Sequence, residues 1–343
     1  MIEQSCYVGG WPLSSFLLRN PITQAELTHL KRSKLPTPTW LDWVMCVLSA
    51  SVILAAIVTI TWEWVSFPRT PDQDLYFYPQ RFTLTLILSA ITIVLHFVVL
   101  VRILSVSANS IQREKAAGTW ENLLLTGISA RHLILGKWWA ALRATWKDFA
   151  LLALVRAGVS VGLGTVVYGT YLNRCCQWNG PYTYALSPEL IARDTLLAVV
   201  AISLFTLMNA LFTAAAGVAG SIISGQTRFG LMSAVMLRIS LIVGVIIFLL
   251  PCLLLVDSTP TRIILPMAHP ITGFYKPLLM LFWALVDNGT IAAAGLANSY
   301  ETDGEIYLAV TIAALAIYAL LTVVLLVIAQ VVARRQGVSD TAS

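Results

Sequence analysis

Four histidines (His29, His96, His132 and His269) and five cysteines (Cys6, Cys46, Cys175, Cys176 and Cys252) are the obvious carriers of metal or nucleophilic chemistry in this chain. Their spacing makes no site. The histidines are far apart, no His-Glu-x-x-His run occurs, and the cysteines show no repeated or metal-ligand spacing. Cys175 and Cys176 are adjacent and would oxidise only if they faced an oxidising compartment. Gly136-Lys137 resembles the end of a phosphate loop but lacks the upstream glycine at the required spacing. No catalytic residue, no metal site and no cofactor-binding residue is therefore expected. One charged side chain stands out: Arg156 lies about 10 Å into an apolar run, counting 1.5 Å of helix rise per residue. A charge at that depth either serves a function, facing a substrate or another subunit, or snorkels to the headgroups.

The elements that hold these residues follow from composition. Only 11% of the 343 residues are charged and 58% are hydrophobic, against about 25% charged in ordinary globular domains. So few charges cannot cover a soluble surface. Several apolar runs are long enough to cross a hydrocarbon core about 30 Å thick, and within lipid a helix satisfies its own backbone groups. The expected fold is an all-α polytopic membrane protein with six transmembrane helices, at about 43–62, 82–101, 149–168, 196–219, 240–256 and 307–329. Residues 1–39 form an N-terminal segment with an interfacial helix, 40–333 the transmembrane domain and 334–343 a tail. Between 277 and 297, two short apolar halves flank Asp287-Asn288-Gly289-Thr290. Each is too short to span, which favours a re-entrant pair over a seventh crossing.

Basic residues set the orientation. With a cytoplasmic N-terminus, fifteen Lys and Arg fall on the cytoplasmic side and six on the other. The net charge of +5 is thus a topology signal, not a nucleic-acid footprint. Both termini are expected to be cytoplasmic in a multi-pass protein of the plasma (inner) membrane.

The loop 102–147 departs from the lipid-like pattern. Trp120, Leu123 and Leu124 recur at helical spacing, with Arg113, Glu114, Lys115 and Glu121 on other faces and a turn expected at Thr126-Gly127. Leu135, Trp138, Trp139, Leu142 and Trp146 then form one apolar stripe. This second helix is expected to lie along the cytoplasmic interface, its tryptophans at headgroup level, and to lead into span three. The first helix would be a short rigid lever below the membrane. An ordinary amphipathic linker fits the same periodicity.

The stretch Arg113-Glu114-Lys115, Gly118-Thr119-Trp120-Glu121, Thr126, Ser129, Arg131 and Gly136-Lys137 resembles the cytoplasmic loop of ABC-2 type permeases, the membrane subunits of ATP-binding-cassette exporters. Trp120 stands where leucine is usual and Gly127 where proline is common. Asn20-Pro21 followed by Leu30-Lys31-Arg32 is similar to the start of these permeases. The resemblance implies a subunit without chemistry of its own, whose loop docks into a separate ABC ATPase subunit. Glu114, Gly118, Thr119, Trp120, Glu121, Leu124, Thr126 and Arg131 would make that contact. It also implies a second permease subunit, identical or related, with membrane lipids as the other partners and no nucleic acid. Two other functions fit the hydropathy: a secondary transporter, though the halves share no repeated motif, and a non-transporting membrane scaffold or assembly factor.

Small residues are concentrated at Gly158, Gly162 and Gly164 and at Ala214–Gly220. They permit close helix approach, either within the subunit or at a dimer seam.

Overall fold

The computed structural model describes residues 20–32, 71–120, 128–177, 188–224, 229–257 and 304–337, with Val47, Ala50, Leu281, Ala284, Leu285 and Gly289 as single positions. Among them are six long helices and no strand: α1 (Pro21–Arg32), α2 (Pro71–Ala116), α3 (Ala130–Gln177), α4 (Pro188–Ile223), α5 (Gly230–Asp257) and α6 (Gly304–Arg335). Three stretches, Ile91–Ala116, Leu196–Ile223 and Tyr307–Arg335, are long and apolar enough to cross a membrane, and Gly230–Val245 is a shorter apolar helix. Their outer surfaces are apolar too: Phe97 in α2, Leu207 in α4 and Leu320 in α6 are all at least half exposed. In water that pattern would be unfavourable, whereas lipid tails solvate it. The chain has the character of a membrane protein.

Side-chain contacts give the direction of each helix. His96 of α2 meets Asn209 of α4, and Lys115 meets the carbonyls of Ser221, Ile222 and Ser224, so these helices run parallel. Tyr318 of α6 packs on Phe205 and Phe212 of α4, and Gln336 reaches the Ile222 carbonyl, which makes α6 parallel to both. The helix α3 runs the other way, since Arg102 pairs with Asp148 while Lys137 reaches Ser110 and Glu114. So does α5, whose Ala234 lies at Gly220 and whose Arg238 lies at Asn209 and Thr213. The C-terminal ends of α2, α4 and α6, the N-terminal ends of α3 and α5, and all of α1 therefore gather at one end of the bundle.

Helix α4 is central, and its Ala214–Gly220 run explains how. A Cβ on Gly217 would overlap Ser107 of α2, and one on Gly220 would overlap the Ala234 backbone of α5. These small residues act in packing within the subunit, the first of the two roles their spacing allowed. Phe205, Phe212 and Tyr318 fill the core beside them, with Tyr318 donating its hydroxyl proton to the Leu285 carbonyl (3.0 Å).

Two expectations change. Residues 135–146 are not a separate interfacial helix: α3 is continuous from Ala130 to Gln177, about 72 Å at 1.5 Å per residue. Nothing in that run breaks a helix, and its one acidic residue, Asp148, is answered by Arg102. Arg113, Glu114 and Lys115 likewise belong to α2, which carries span two and stops where Gly118 takes φ 67°. Arg238, counted with the basic residues of the cytoplasmic side, is instead buried within the bundle. The expected first span apart from Val47 and Ala50, together with Glu121, Leu124, Thr126 and the Gly127 turn, lies outside the described residues, as does nearly all of 277–297.

Candidate functional site

Two polar clusters are built into this apolar bundle. The first ties α1 to the ends of α2 and α3. Asn20 caps α1, its Oδ1 accepting the Ile22 N–H at 3.0 Å, and Pro21 follows at the position where a missing N–H costs nothing. The same asparagine donates through Nδ2 to the His132 carbonyl of α3 at 2.9 Å. Thr23 donates to the Gly136 carbonyl at 3.2 Å. Gly136 is required there: a Cβ would lie 2.9 Å from Asn20 Nδ2 and 3.1 Å from Ile22 Cβ.

Beside this contact sits a charged knot. Lys137, 1% exposed, donates to Glu26 Oε2 at 2.9 Å and to Glu114 Oε1. Arg113 Nη2 straddles the other side of Glu26, at 3.0 and 3.2 Å from its two carboxylate oxygens. Two cations thus meet two carboxylates. Burial opposes charge on Glu26, but the attraction and hydrogen bonds of Lys137 and Arg113 outweigh it and hold its carboxyl below the ordinary range. Lys115 is separate from the knot: its ammonium reaches the last carbonyls of α4 and lies 5.6 Å from the centre of the Trp120 ring.

Across the gap between α2 and α3, Ser129 caps α3. Its Oγ lies 2.6 Å from His132 Nδ1 and accepts the His132 N–H at 3.4 Å. Burial and the neighbouring Arg131 lower the His132 pKa. Of the expected contact residues, Glu114 is engaged inside the knot and Trp120 is buried, while Gly118, Thr119 and Arg131 are exposed. Thr119 donates its hydroxyl proton to the Glu114 carbonyl at 3.2 Å.

The second cluster lies within the bundle. Arg238 of α5, 6% exposed, donates to Asn209 Oδ1 at 2.7 Å and to the Thr213 hydroxyl, with its guanidinium 5.4 Å from the Phe212 ring. No carboxylate contacts it among the described residues. Asn209 Nδ2 stands 3.2 Å from His96 Nε2, which places His96 in helix packing. Arg156, 2% exposed, donates to Thr206 Oγ1 of α4 at 3.0 Å. It is held by a neighbouring helix, so snorkelling does not describe it. Among the described residues no group of His, Cys, Asp and Glu could hold a metal ion.

The sequence reading passed over Glu26, Asn209 and Arg238 as site residues. Glu26 carried a signal, as the sole acid in the twelve residues of α1. Asn209 and Arg238 are each polar breaks in long apolar runs, but only the bundle reveals that they meet. No family model matches this chain, and comparison with curated proteins and with solved structures likewise finds no match.

Proposed function

We propose that this chain is the membrane-spanning permease subunit of an ABC transporter, acting in export. ATP hydrolysis falls to a separate ATPase subunit, and a second permease chain, identical or related, completes the translocation unit. The observation that carries this reading is the architecture around 113–137. Two helices of about 70 Å, α2 and α3, converge at the bundle end where α1 docks. Buried ion pairs lock their base, and Gly118, Thr119 and Arg131 remain exposed between them. Such a tip, on a base that cannot bend locally, transmits a push along helix axes into α4, against which both helices pack. The motif residues divide accordingly. Glu114, Gly136 and Lys137 keep the lever rigid, and Gly118, Thr119 and Arg131 are left to meet the ATPase with Glu121, Leu124 and Thr126.

Helix direction supports the six-span arrangement. Asp257 ends α5 and Gly304 begins α6 at the same end of the bundle, away from the knot, which favours a re-entrant segment between them over a full crossing. The contacts of Leu285 and Gly289 with Tyr318 and Phe205 agree with this, because both aromatics lie well inside their apolar stretches. The knot end carries α1, Arg131, Arg334 and Arg335, and the positive-inside rule favours a cytoplasmic position for that end; a plasma (inner) membrane location is part of the same proposal. Arg156 and Arg238 would stabilise the bundle faces that move.

Affinity purification of the full chain in mild detergent tests the reading. A nucleotide-binding subunit is expected to co-purify and to hydrolyse ATP. An intact complex without such a subunit refutes the permease assignment.

A further inference from the structure

A groove of about 540 Å³ opens between α3 and α4, near the knot end of the bundle. That volume is in the range of about 300–1,000 Å³ typical of ligand sites. Its walls are apolar, with Phe149 and Ala153 from α3 facing Leu207 and Ala210 from α4. The rim is of a different character. Trp139, Arg143 and Trp146 follow one another at i, i+4 and i+7, so one face of α3 presents two indoles and a cation along the groove. Arg143 is exposed, and no carboxylate pairs with it among the described residues. The only acid in α3, Asp148, is engaged by Arg102 of α2.

The second observation concerns a single atom. Trp139 Nε1 is buried and has no hydrogen-bond acceptor among the described residues. Its neighbour shows the usual solution, since Trp138 donates to the Leu211 carbonyl at 3.1 Å. A buried indole N–H without a partner is unfavourable by roughly 1–3 kcal/mol, so this donor calls for an acceptor.

We propose that the groove is a binding site for one anionic phospholipid of the leaflet at the knot end. The phosphate takes the Arg143 guanidinium, a rotation of the Trp139 ring brings its now buried N–H to the same phosphate, and an acyl chain lies between Phe149 and Leu207. Charge complementarity selects this occupant: the rim offers a cation and a neutral donor, and nothing among its lining residues repels an anion. The indoles are the side chains that sit best at headgroup depth. The site does not depend on an ATPase partner, so it stands or falls separately from the proposed function.

The test uses the purified full-length chain, delipidated in detergent, with native mass spectrometry under titration by phosphatidylglycerol or phosphatidylcholine. One phosphatidylglycerol per chain is expected to bind at least fivefold more tightly than phosphatidylcholine. Arg143→Gln should weaken phosphatidylglycerol about tenfold and phosphatidylcholine, whose phosphate is already neutralised by choline, only two- to threefold. Trp139→Phe, which keeps a ring but removes the donor, should weaken both two- to threefold. Arg334→Gln, at the same bundle end, should have no effect beyond twofold. Equal losses in R143Q and R334Q would reduce the preference to general electrostatics and overturn the site. Displacement of the lipid by millimolar inorganic phosphate would overturn it in favour of a free anion. Ala153→Phe fills the groove and should abolish binding of both lipids. A change of oligomeric state in A153F with lipid binding intact would show that a second copy covers the groove, and would also overturn the proposal.

Discussion

Lys137→Met removes the central cation of the knot and nothing else. The side chain is 1% exposed and bridges Glu26, itself 5% exposed, to Glu114 at 18%. Breaking a buried pair by deleting one partner costs about 3–5 kcal/mol, because the remaining charge is left without compensation. Here the lower figure applies: Glu26 keeps Arg113 at 3.0 Å, and Glu114 can turn toward water. A loss of about 3 kcal/mol corresponds to roughly two decades in an equilibrium constant. It falls on α1, whose twelve residues are too few to persist as an isolated helix. Amide hydrogen exchange over 21–32 should therefore accelerate about 100-fold, while the α4 core exchanges as before. The double variant Glu26→Leu/Lys137→Met removes both buried charges and should recover at least tenfold of that protection, since Arg113 can rehydrate. Exchange in α1 within twofold of wild type for K137M would refute the reasoning that the knot holds this helix.

Other perturbations separate the remaining contacts. The folded pKa of Glu26 is lowered, so its contribution to α1 docking is present above the unfolded value near 4.5 and is lost as pH falls through the folded value; exchange over 21–32 should accelerate with acid in wild type and much less in Glu26→Gln. Asn209→Leu leaves the Arg238 guanidinium buried without its best acceptor and should cost about 1.5–3 kcal/mol, while Arg238→Leu removes the charge itself and should cost less; unfolding in detergent, followed by tryptophan fluorescence, ranks the two. Gly220→Ala forces the α4 and α5 backbones apart and should destabilise by about 1–3 kcal/mol, whereas Gly244→Ala, with nothing within 4 Å of the new methyl group, should be neutral or slightly stabilising. Equal melting shifts for the two glycine variants would contradict the packing described for α4.

How much of this was legible beforehand depended on whether the controlling physics was local. Apolar run length is local, and it located helices over 82–101, 149–168, 196–219, 240–256 and 307–329, of which α2, α4 and α6 contain a stretch long and apolar enough to cross a membrane. Within the expected break at 287–290, Gly289 takes φ 87°. Periodicity could not say where one helix ends and the next begins. The stripe from Leu135 to Trp146 reads as an amphipathic segment whether it ends before the next apolar run or continues into it, and the unbroken course of α3 from Ala130 to Gln177 shows that it continues. The motif 113–137 was recognisable as a pattern but not as a division of labour. Lys137 looked like a surface charge because its partner Glu26 lies 111 residues away, and Glu114 shares that cation. Arg238 was misread for a related reason: lysine and arginine counts treat every cation near a span end as solvated, and Asn209 with Thr213 provides the exception.

The most direct test of the permease reading is a photo-activated crosslinker placed at Thr119, which is exposed one residue beyond the positive-φ Gly118. Irradiation in native membranes, followed by mass spectrometry of the adduct, should yield this chain joined to a protein that carries a phosphate-binding loop. The same adduct should form less than one tenth as often when Arg131 and Thr119 flank a lever loosened by K137M. Adducts confined to lipid, or to this chain alone, in membranes where the chain is folded and assembled would contradict the proposal that its exposed tip meets an ATPase.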